Sequence, residues 1–308
     1  MCTAVSVSQS DRHYFGRTLD LEYHHDEAVT LSPRRFPFSF SDSTAVTEHP
    51  AILGMAYVVD GYPLYYDAMN EHGLCMAGLA FGGSCIYAAP DLPQDVHRLA
   101  PWELIPYVLA NCRTIHEATA LLADTVLADL PFSASLPNQP MHWMLADKSA
   151  SAALETDRNG RIITYSNPAN VLTNAPSFPA QLQNLTAYAH LSPHPTAVDD
   201  AGTSIRGSGA VGLPGDWSSS SRFVRASFLR RVMDIRAAES LFSLFDSVRV
   251  PRGASLTADS IPIETVYTAV MEPQAFCYRY RMADASAPQS VTPSALQMRG
   301  TQCITFPL

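Results

Sequence analysis

Alternation of apolar and polar residues, interrupted by glycine and proline, is the main pattern in the first third of the chain. A period of two residues is typical of strands with one buried face. It predicts the strands Thr3–Gln9, Ala51–Val59, Leu64–Ala68 and Leu74–Phe81. We interpret Tyr14–Asp20 as a strand that returns antiparallel to the first one after a turn at Asp11-Arg12.

Helical spacing appears next. Pro101 suits the first turn of a helix, and the apolar residues Trp102, Ile105, Val108 and Leu109 follow it on one face. Thr114 and Glu117 have the spacing of a capping box that opens a second helix ending at Leu122. Further along, the pattern predicts strands Met141–Asp147, Ala152–Thr156 and Arg161–Ser166, helices at Phe178–Ala187, from Ser218–Ser221 onward and at Ala238–Val248, and a hairpin of Glu264–Met271 with Phe276–Met282.

This order of elements predicts the fold class. Strands, then helices, then strands again, joined by short links, favour an α+β protein whose antiparallel sheets are covered by helices. No long linker divides residues 1–308, so we expect a single domain. The loop Ser192–Ser208 is long enough to be functional or mobile.

Composition excludes several classes of function. Hydrophobic residues make up 47% of the 308 residues, which is ample for a large core, and the formal net charge of -9 argues against a nucleic-acid partner. No signal-peptide pattern and no apolar run long enough to cross a bilayer is present, so we expect a protein without membrane association. The cysteines form no C-x-x-C pair and no zinc spacing, which favours the reducing cytoplasm. No metal or organic cofactor is expected.

One cysteine stands apart because of its position. Cys2 follows the initiator Met1, and we expect an aminopeptidase to remove Met1 because cysteine is small. Cys2 would then carry a thiol and a free α-amino group, whose ordinary pKa of about 7.7–8.0 leaves it partly neutral near pH 7. A nucleophile and its base would share one residue. The alternative is that cysteine occurs here by chance.

The predicted return strand carries two charged residues. A cation beside sulfur favours the thiolate, and a carboxylate can orient an amine. Arg17 and Asp20 would supply both if the hairpin brings them back beside Cys2. A surface ion pair on a hairpin explains the same residues equally well.

Four joint motifs resemble the choloylglycine hydrolase family, which includes bile salt hydrolases and penicillin V acylases among the N-terminal nucleophile hydrolases. They are MCT…FGRTLDLEY, YYDAMNEHGLCMAGL, NVLTNAPSF and GLPGDWSSSSRFVRASFLR, and they cover essentially the whole chain in order. The resemblance implies a four-layer αββα sandwich of two antiparallel sheets and an assembly as homotetramers.

The resemblance also implies catalytic roles. It places the nucleophile at Cys2, the arginine beside the thiol at Arg17, the aspartate that orients the amine at Asp20, an oxyanion-side asparagine at Asn174 and a later active-site arginine at Arg222. From the residues alone, Asn174 before Ala-Pro is typical of a turn.

A departure from the bile-salt branch occurs at Ala80, where that branch commonly has asparagine, so a side-chain donor on the oxyanion side is missing. The resemblance implies an acyl pocket of large apolar side chains, which suit a steroid or aromatic acyl group. Ordinary core packing is the other explanation of these residues, which are Leu19, Tyr65, Tyr66, Phe132 and Leu136.

The expected activity is therefore hydrolysis of glycine- or taurine-conjugated bile salts through a thioester on Cys2. A penicillin V acylase or another N-acyl amide hydrolase with the same site is the nearest alternative. A catalytically silent relative that binds bile acids or acyl ligands is an alternative of a different class, which Ala80 makes plausible.

Overall fold

The computed structural model of the chain describes residues 1–9, 11–91, 93 and 96–308. Within these residues the strands, in chain order, are β1 (Cys2–Gln9), β2 (Arg12–Leu21), β3 (Ala28–Ser32), β4 (Phe38–Ser39), β5 (Ala45–Val46), β6 (Ile52–Val59), β7 (Tyr62–Asn70), β8 (Cys75–Ala80), β9 (Arg98–Leu99), β10 (Val126–Leu127), β11 (Met141–Ala146), β12 (Ser151–Thr156), β13 (Ile162–Ser166), β14 (Val171–Leu172), β15 (Ser255–Leu256), β16 (Pro262–Glu272), β17 (Cys277–Met282), β18 (Gln289–Val291) and β19 (Ile304–Phe306). The α-helices are α1 (Leu104–Asn111), α2 (Ile115–Leu121), α3 (Phe178–Thr186), α4 (Ser219–Val232) and α5 (Ala238–Asp246), and short 3₁₀ turns lie at Pro101–Glu103, Pro273–Ala275 and Gln297–Arg299.

Two large antiparallel sheets lie at the centre. The first has the strand order β14-β1-β2-β16-β17-β18, with β15 paired to β16. The second has the order β13-β12-β11-β8-β7-β6-β3-β19. Helices α4 and α5 pack on the first sheet, and α1 packs on the second. These four layers are the αββα sandwich that the resemblance implies.

The sheets stack because their strands follow the two-residue period. In β8, Cys75 and Leu79 point into the core between the sheets, whereas Met76 points outward into the core beneath α1. Helix α1 contributes Leu104 and Val108 to that outer core. Full burial of each large side chain contributes about 1.5–3 kcal/mol, so both faces of this sheet stabilise the fold.

Most predicted elements are present with boundaries shifted by one or two residues. The helix predicted from Pro101 begins as a 3₁₀ turn and becomes α-helical at Leu104. The predicted capping box is half formed, since Thr114 accepts the Glu117 N–H but the Glu117 carboxylate accepts the N–H of Arg113. Sequence reasoning missed nine strands of two to five residues each, namely β3, β4, β5, β9, β10, β14, β15, β18 and β19.

The predicted long loop folds back on itself. The Asp199 N–H donates to the Thr203 carbonyl at 2.9 Å, and Thr196 bonds to the Ser208 carbonyl through both its N–H and its hydroxyl. The loop therefore has internal hydrogen bonds of its own. It leaves Val198 62% exposed.

Candidate active site

The hairpin of β1 and β2 brings the N-terminal residues together. Its register places Leu19 opposite Cys2 and Arg17 opposite Ala4. Cys2 is 2% exposed, and Arg17 and Asp20 are fully buried. Burial of unpaired charges is costly, so a simple surface ion pair is the wrong interpretation of Arg17 and Asp20.

Arg17 lies in a buried polar group beneath Cys2. Its Nη1 donates to the Tyr66 carbonyl at 3.3 Å and lies 3.5 Å from Asp67 Oδ2. Asp67 in turn accepts the hydroxyls of Tyr267 and Tyr278, at 2.5 and 2.6 Å. Buried charges of this kind persist when hydrogen bonds satisfy the counter-ion.

Arg17 carries a positive charge. Burial acts against it, but the neighbouring Cys2 thiol, Tyr267 and Asp67 together raise the pKa of Arg17 above its ordinary value. Its Nη2 has no hydrogen-bond partner among the described residues. Arg17 is therefore a fixed cation with an unused donor.

Asp20 lies at the end of the same strand. Its Oδ1 accepts the hydroxyl of Thr265 at 2.6 Å. Its Oδ2 is buried, has no hydrogen-bond partner within the described part of the chain and lies 4.0 Å from Arg222 Nη1. The main chain of Asp20 pairs with Met1, whose amine donates to the Asp20 carbonyl at 2.7 Å. Asp20 thus has a free carboxylate oxygen close to the start of the chain.

Asn174 and Arg222 complete the group from distant parts of the chain. The Asn174 Oδ1 accepts both the Cys2 N–H, at 2.8 Å, and Arg222 Nη2, at 2.6 Å. Because arginine only donates, this contact fixes which end of the Asn174 amide carries oxygen. The Asn174 Nδ2 therefore faces the other way and donates one hydrogen bond to the Ala80 carbonyl at 2.8 Å. Its second N–H can serve a ligand.

Arg222 lies near the start of α4 and reaches under β1. Its Nη1 donates to the Cys2 carbonyl at 2.5 Å and to Thr3 Oγ1 at 2.6 Å. Burial lowers the pKa of Arg222, while Asp20 and Cys2 oppose that effect. Arg222 therefore holds the backbone of the nucleophile and the amide of Asn174 in one geometry.

Two residues that sequence reasoning missed hold the main chain of Asn174. The Asn174 N–H donates to Ser219 Oγ at 2.9 Å. Gln181 Nε2 donates to the Asn174 carbonyl at 3.3 Å and to Ser219 Oγ at 3.0 Å. The only signal at Ser219 is its place in the Ser218–Ser221 helix start, which indicates a cap rather than a site.

Ala80 contributes its main chain. Its side chain follows the alternation of Met76 and Gly78 toward the outer core, and Ala80 pairs with Met141. The N–H and carbonyl of a residue in a strand point to the same edge. The Ala80 N–H therefore shares the edge at which the Asn174 amide reaches the Ala80 carbonyl.

The predicted pocket residues fall into separate groups. Leu19 and Tyr66 pack in the core between the sheets together with Cys2. Tyr65 belongs to the opposite face, where its hydroxyl lies 2.8 Å from Ser32 Oγ, because adjacent residues of a strand point to opposite faces. The structure does not bring Tyr65 to the site.

Two pocket residues lie in the segment between β10 and β11. The Phe132 ring packs edge-on against Trp102, with centroids 5.1 Å apart, and also contacts Tyr62. Leu136 is half-buried and its N–H donates to the Ser133 carbonyl. Phe132 therefore belongs to an aromatic cluster with Tyr62 and Trp102.

Within residues 1–9, 11–91, 93 and 96–308, no group of three or more His, Cys, Asp or Glu side chains is arranged to hold a metal ion. No helix in the described part of the chain combines the length and apolar character needed to cross a membrane.

A buried thiol at the start of the first strand, between two stacked antiparallel sheets, is typical of an N-terminal nucleophile amidase. The model of the choloylglycine hydrolase family, described as linear amide C–N hydrolases, matches residues 2–306. The chain belongs to this family. The family and the fold predicted from the sequence motifs are confirmed.

Individual relatives agree with this assignment. The chain is 38% identical over 318 residues to the bile salt hydrolase/transferase of Lactiplantibacillus plantarum, covering 100% of this chain and 97% of that protein. It is 30% identical to the bile salt hydrolase/transferase of Clostridium perfringens, covering 99% and 96%.

Solved structures show the same fold. The C2A mutant of the conjugated bile acid hydrolase from Clostridium perfringens superimposes with a TM-score of 0.92 at 29% identity, covering 100% of this chain and 97% of that one. The penicillin V acylase from Agrobacterium tumefaciens shares the fold, with a TM-score of 0.76 at 22% identity, covering 99% and 90%.

Proposed function

We propose that this protein hydrolyses the amide bond of glycine- or taurine-conjugated bile salts through a thioester on Cys2. The observation that carries the proposal is the buried group of Cys2, Arg17, Asp20, Asn174 and Arg222 at the start of β1. The full-length similarity to bile salt hydrolases supports the choice of substrate.

The first half of the reaction forms the acyl-enzyme. After removal of Met1, the free amine of Cys2 takes the thiol proton, and Arg17 stabilises the thiolate. Cys2 Sγ attacks the substrate carbonyl, and the free Oδ2 of Asp20 accepts a hydrogen bond from the charged amine. Asn174 Nδ2 and the Ala80 N–H donate to the oxyanion.

The second half releases the products. The Cys2 ammonium gives its proton to the departing nitrogen of glycine or taurine, the C–N bond breaks and a C–S bond remains. Water then attacks the thioester with the Cys2 amine as base. The C–S bond breaks, the free bile acid leaves and the thiol is restored. We propose no metal or organic cofactor for these steps.

The acyl end of the substrate would lie against apolar surface. We propose Leu19 and Tyr66 as its lining, since both pack with Cys2 in the core between the sheets, and we add Phe132 and Leu136 on the family resemblance alone. Large apolar walls with a few convergent polar groups are typical of small-molecule sites. Tyr65 is left out because it lies on the other face of β7.

A substrate panel tests the proposed function. Protein freed of Met1 is incubated with glycocholate, taurocholate and penicillin V, and the released amine is quantified. We expect release of glycine or taurine with kcat/KM well above that for penicillin V. Preference for penicillin V would move the protein to the acylase branch, and no release from any of the three would indicate a silent acyl-ligand binder.

We further propose that the protein works in the cytoplasm, as one domain over residues 1–308 and as a homotetramer. The scattered cysteines, all unpaired, suit a reducing compartment.

Exposed apolar side chains on the loop and just beyond it, at Val198, Ile205 and Val211, offer surface for subunit contacts. Light scattering of the purified protein, with about four chain masses expected, tests the assembly.

Asp20→Asn is expected to lower kcat by about 10- to 100-fold with KM nearly unchanged. A hydrogen bond to a charged group is worth about 1.5–3 kcal/mol, and the charge on the Cys2 amine develops only during reaction. Steady-state release of glycine measures both constants. Asp124→Asn, an exposed partner of Arg161, is the matched control and should behave as wild type. A change confined to KM would indicate that Asp20 only contacts substrate.

Ala80→Asn is expected to change kcat by less than about threefold. The contact at this position is made by the main chain, which asparagine also supplies, while the new side chain would point toward Met141. Adding a donor to an unprepared site recovers little. A rise in kcat of ten-fold or more on glycocholate would show that the side chain of residue 80 reaches the oxyanion.

A further inference from the structure

His142, on the inner face of β11, is a buried residue without a role in the mechanism above. Its ring stacks on Phe81 with centroids 4.2 Å apart and planes inclined by 8°. Phe81 directly follows Ala80 at the end of β8 and is 1% exposed. One face of the imidazole therefore supports the segment that carries the Ala80 N–H.

The same ring supports the other donor. His142 Nε2 lies 2.9 Å from the carbonyl oxygen of Thr173, the residue before Asn174. A carbonyl only accepts, so Nε2 carries the proton and donates. This hydrogen bond fixes the main chain from which the Asn174 amide extends.

Glu155 lies close to the other nitrogen of the ring. Its Oε1 lies 3.4 Å from His142 Nδ1 and accepts the N–H of Phe178 at 2.7 Å. Phe178 begins α3, the helix that carries Gln181 against the Asn174 carbonyl. Glu155 of β12 and the start of α3 therefore lie at one edge of the ring. The ring itself contacts Phe81 and Thr173, the neighbours of Ala80 and Asn174.

We propose that His142 is a positioning residue that sets the spacing between the two oxyanion donors, the Ala80 N–H and Asn174 Nδ2. The inference rests on the proposed acyl transfer. An apolar ring of similar size would fill the space and stack on Phe81, but it would leave the Thr173 carbonyl without its donor. Displacement of a catalytic group by about 1 Å can cost on the order of 10²-fold in rate.

Three variants test this role. His142→Phe keeps the ring and loses the hydrogen bond, and we expect kcat for glycocholate to fall about 10- to 100-fold with KM within about twofold. His142→Gln keeps an N–H donor that can reach the Thr173 carbonyl and should recover most of the loss. His49→Gln, a buried histidine that bonds main-chain carbonyls before β6, is the matched control.

The rate at which iodoacetamide alkylates Cys2 distinguishes this role from general damage to the site, which would lower that rate. Alkylation uses the thiolate but forms no oxyanion, so its rate should be the same in wild type and in His142→Phe. Unchanged kcat in His142→Phe, or an alkylation rate that falls in parallel with kcat, overturns the proposal. If His142→Phe does not fold, Phe81→Leu provides the test, because it removes the ring on which His142 stacks. Phe81→Leu should lower kcat and leave the alkylation rate unchanged, and an unchanged kcat overturns the proposal.

The outcomes separate this inference from the proposed function. A wild-type chain that releases no amine contradicts the hydrolysis and the inference together. Normal release by wild type with unchanged kcat in the folded variants contradicts the inference alone.

Discussion

Cys2→Ala is expected to abolish amide hydrolysis while the protein remains folded. Without sulfur no thioester can form, and loss of a nucleophile that acts as a unit with its base costs on the order of 10⁶-fold in kcat. The fold should survive because alanine fills most of the volume of a residue whose main-chain bonds to Asn174 and Arg222 do not need the thiol. Glycine release and the unfolding midpoint measure the two effects.

The buried thiol of Cys112 provides a matched control. Cys112 is 2% exposed at the end of α1, in the outer core, and Cys112→Ala should keep full activity. Cys2→Ser should be nearly inactive, because a hydroxyl is much harder to deprotonate than a thiol. Substantial turnover by Cys2→Ala would place the nucleophile elsewhere.

Blocking the α-amine of Cys2 should be the second large effect. A chain extended before Cys2 by a tag that ends in a specific protease site should show kcat about 10²- to 10⁴-fold below the cleaved chain, the range that a general base contributes. A peptide nitrogen has no basic lone pair. In the chain with Met1, the Cys2 nitrogen is an amide that donates to Asn174 Oδ1.

The same preparation before and after cleavage is its own control. Intact mass confirms that the cleaved chain begins at Cys2, and the unfolding midpoint should be similar for both forms. Equal kcat before and after cleavage would show that the amine of Cys2 is not the base. Cys2→Ala in the cleaved form gives the background of the assay.

Local patterns along the chain predict the longer strands, the helices and one half of the site. The hairpin of β1 and β2 is local, so its alternation and turn residues predict which residues return beside Cys2. The register then places Leu19 opposite Cys2 and sets Arg17 and Asp20 close to the chain start. The resemblance in four motifs supplied Asn174 and Arg222, which local patterns alone assign to a turn and a helix.

The contacts between distant residues could not be predicted from local patterns. Asn174 and Arg222 bond to Cys2 across 172 and 220 residues of chain, and Asp67 meets Tyr267 and Tyr278 across both sheets. A bulge at Tyr66 shifts the register of β7 against β6, so that Met55 pairs with Asp67 and Ala56 pairs with Tyr65. Periodicity reports which face of an element is apolar, but register, bulges and the stacking of layers determine which side chains meet, and these depend on the packing of the whole chain.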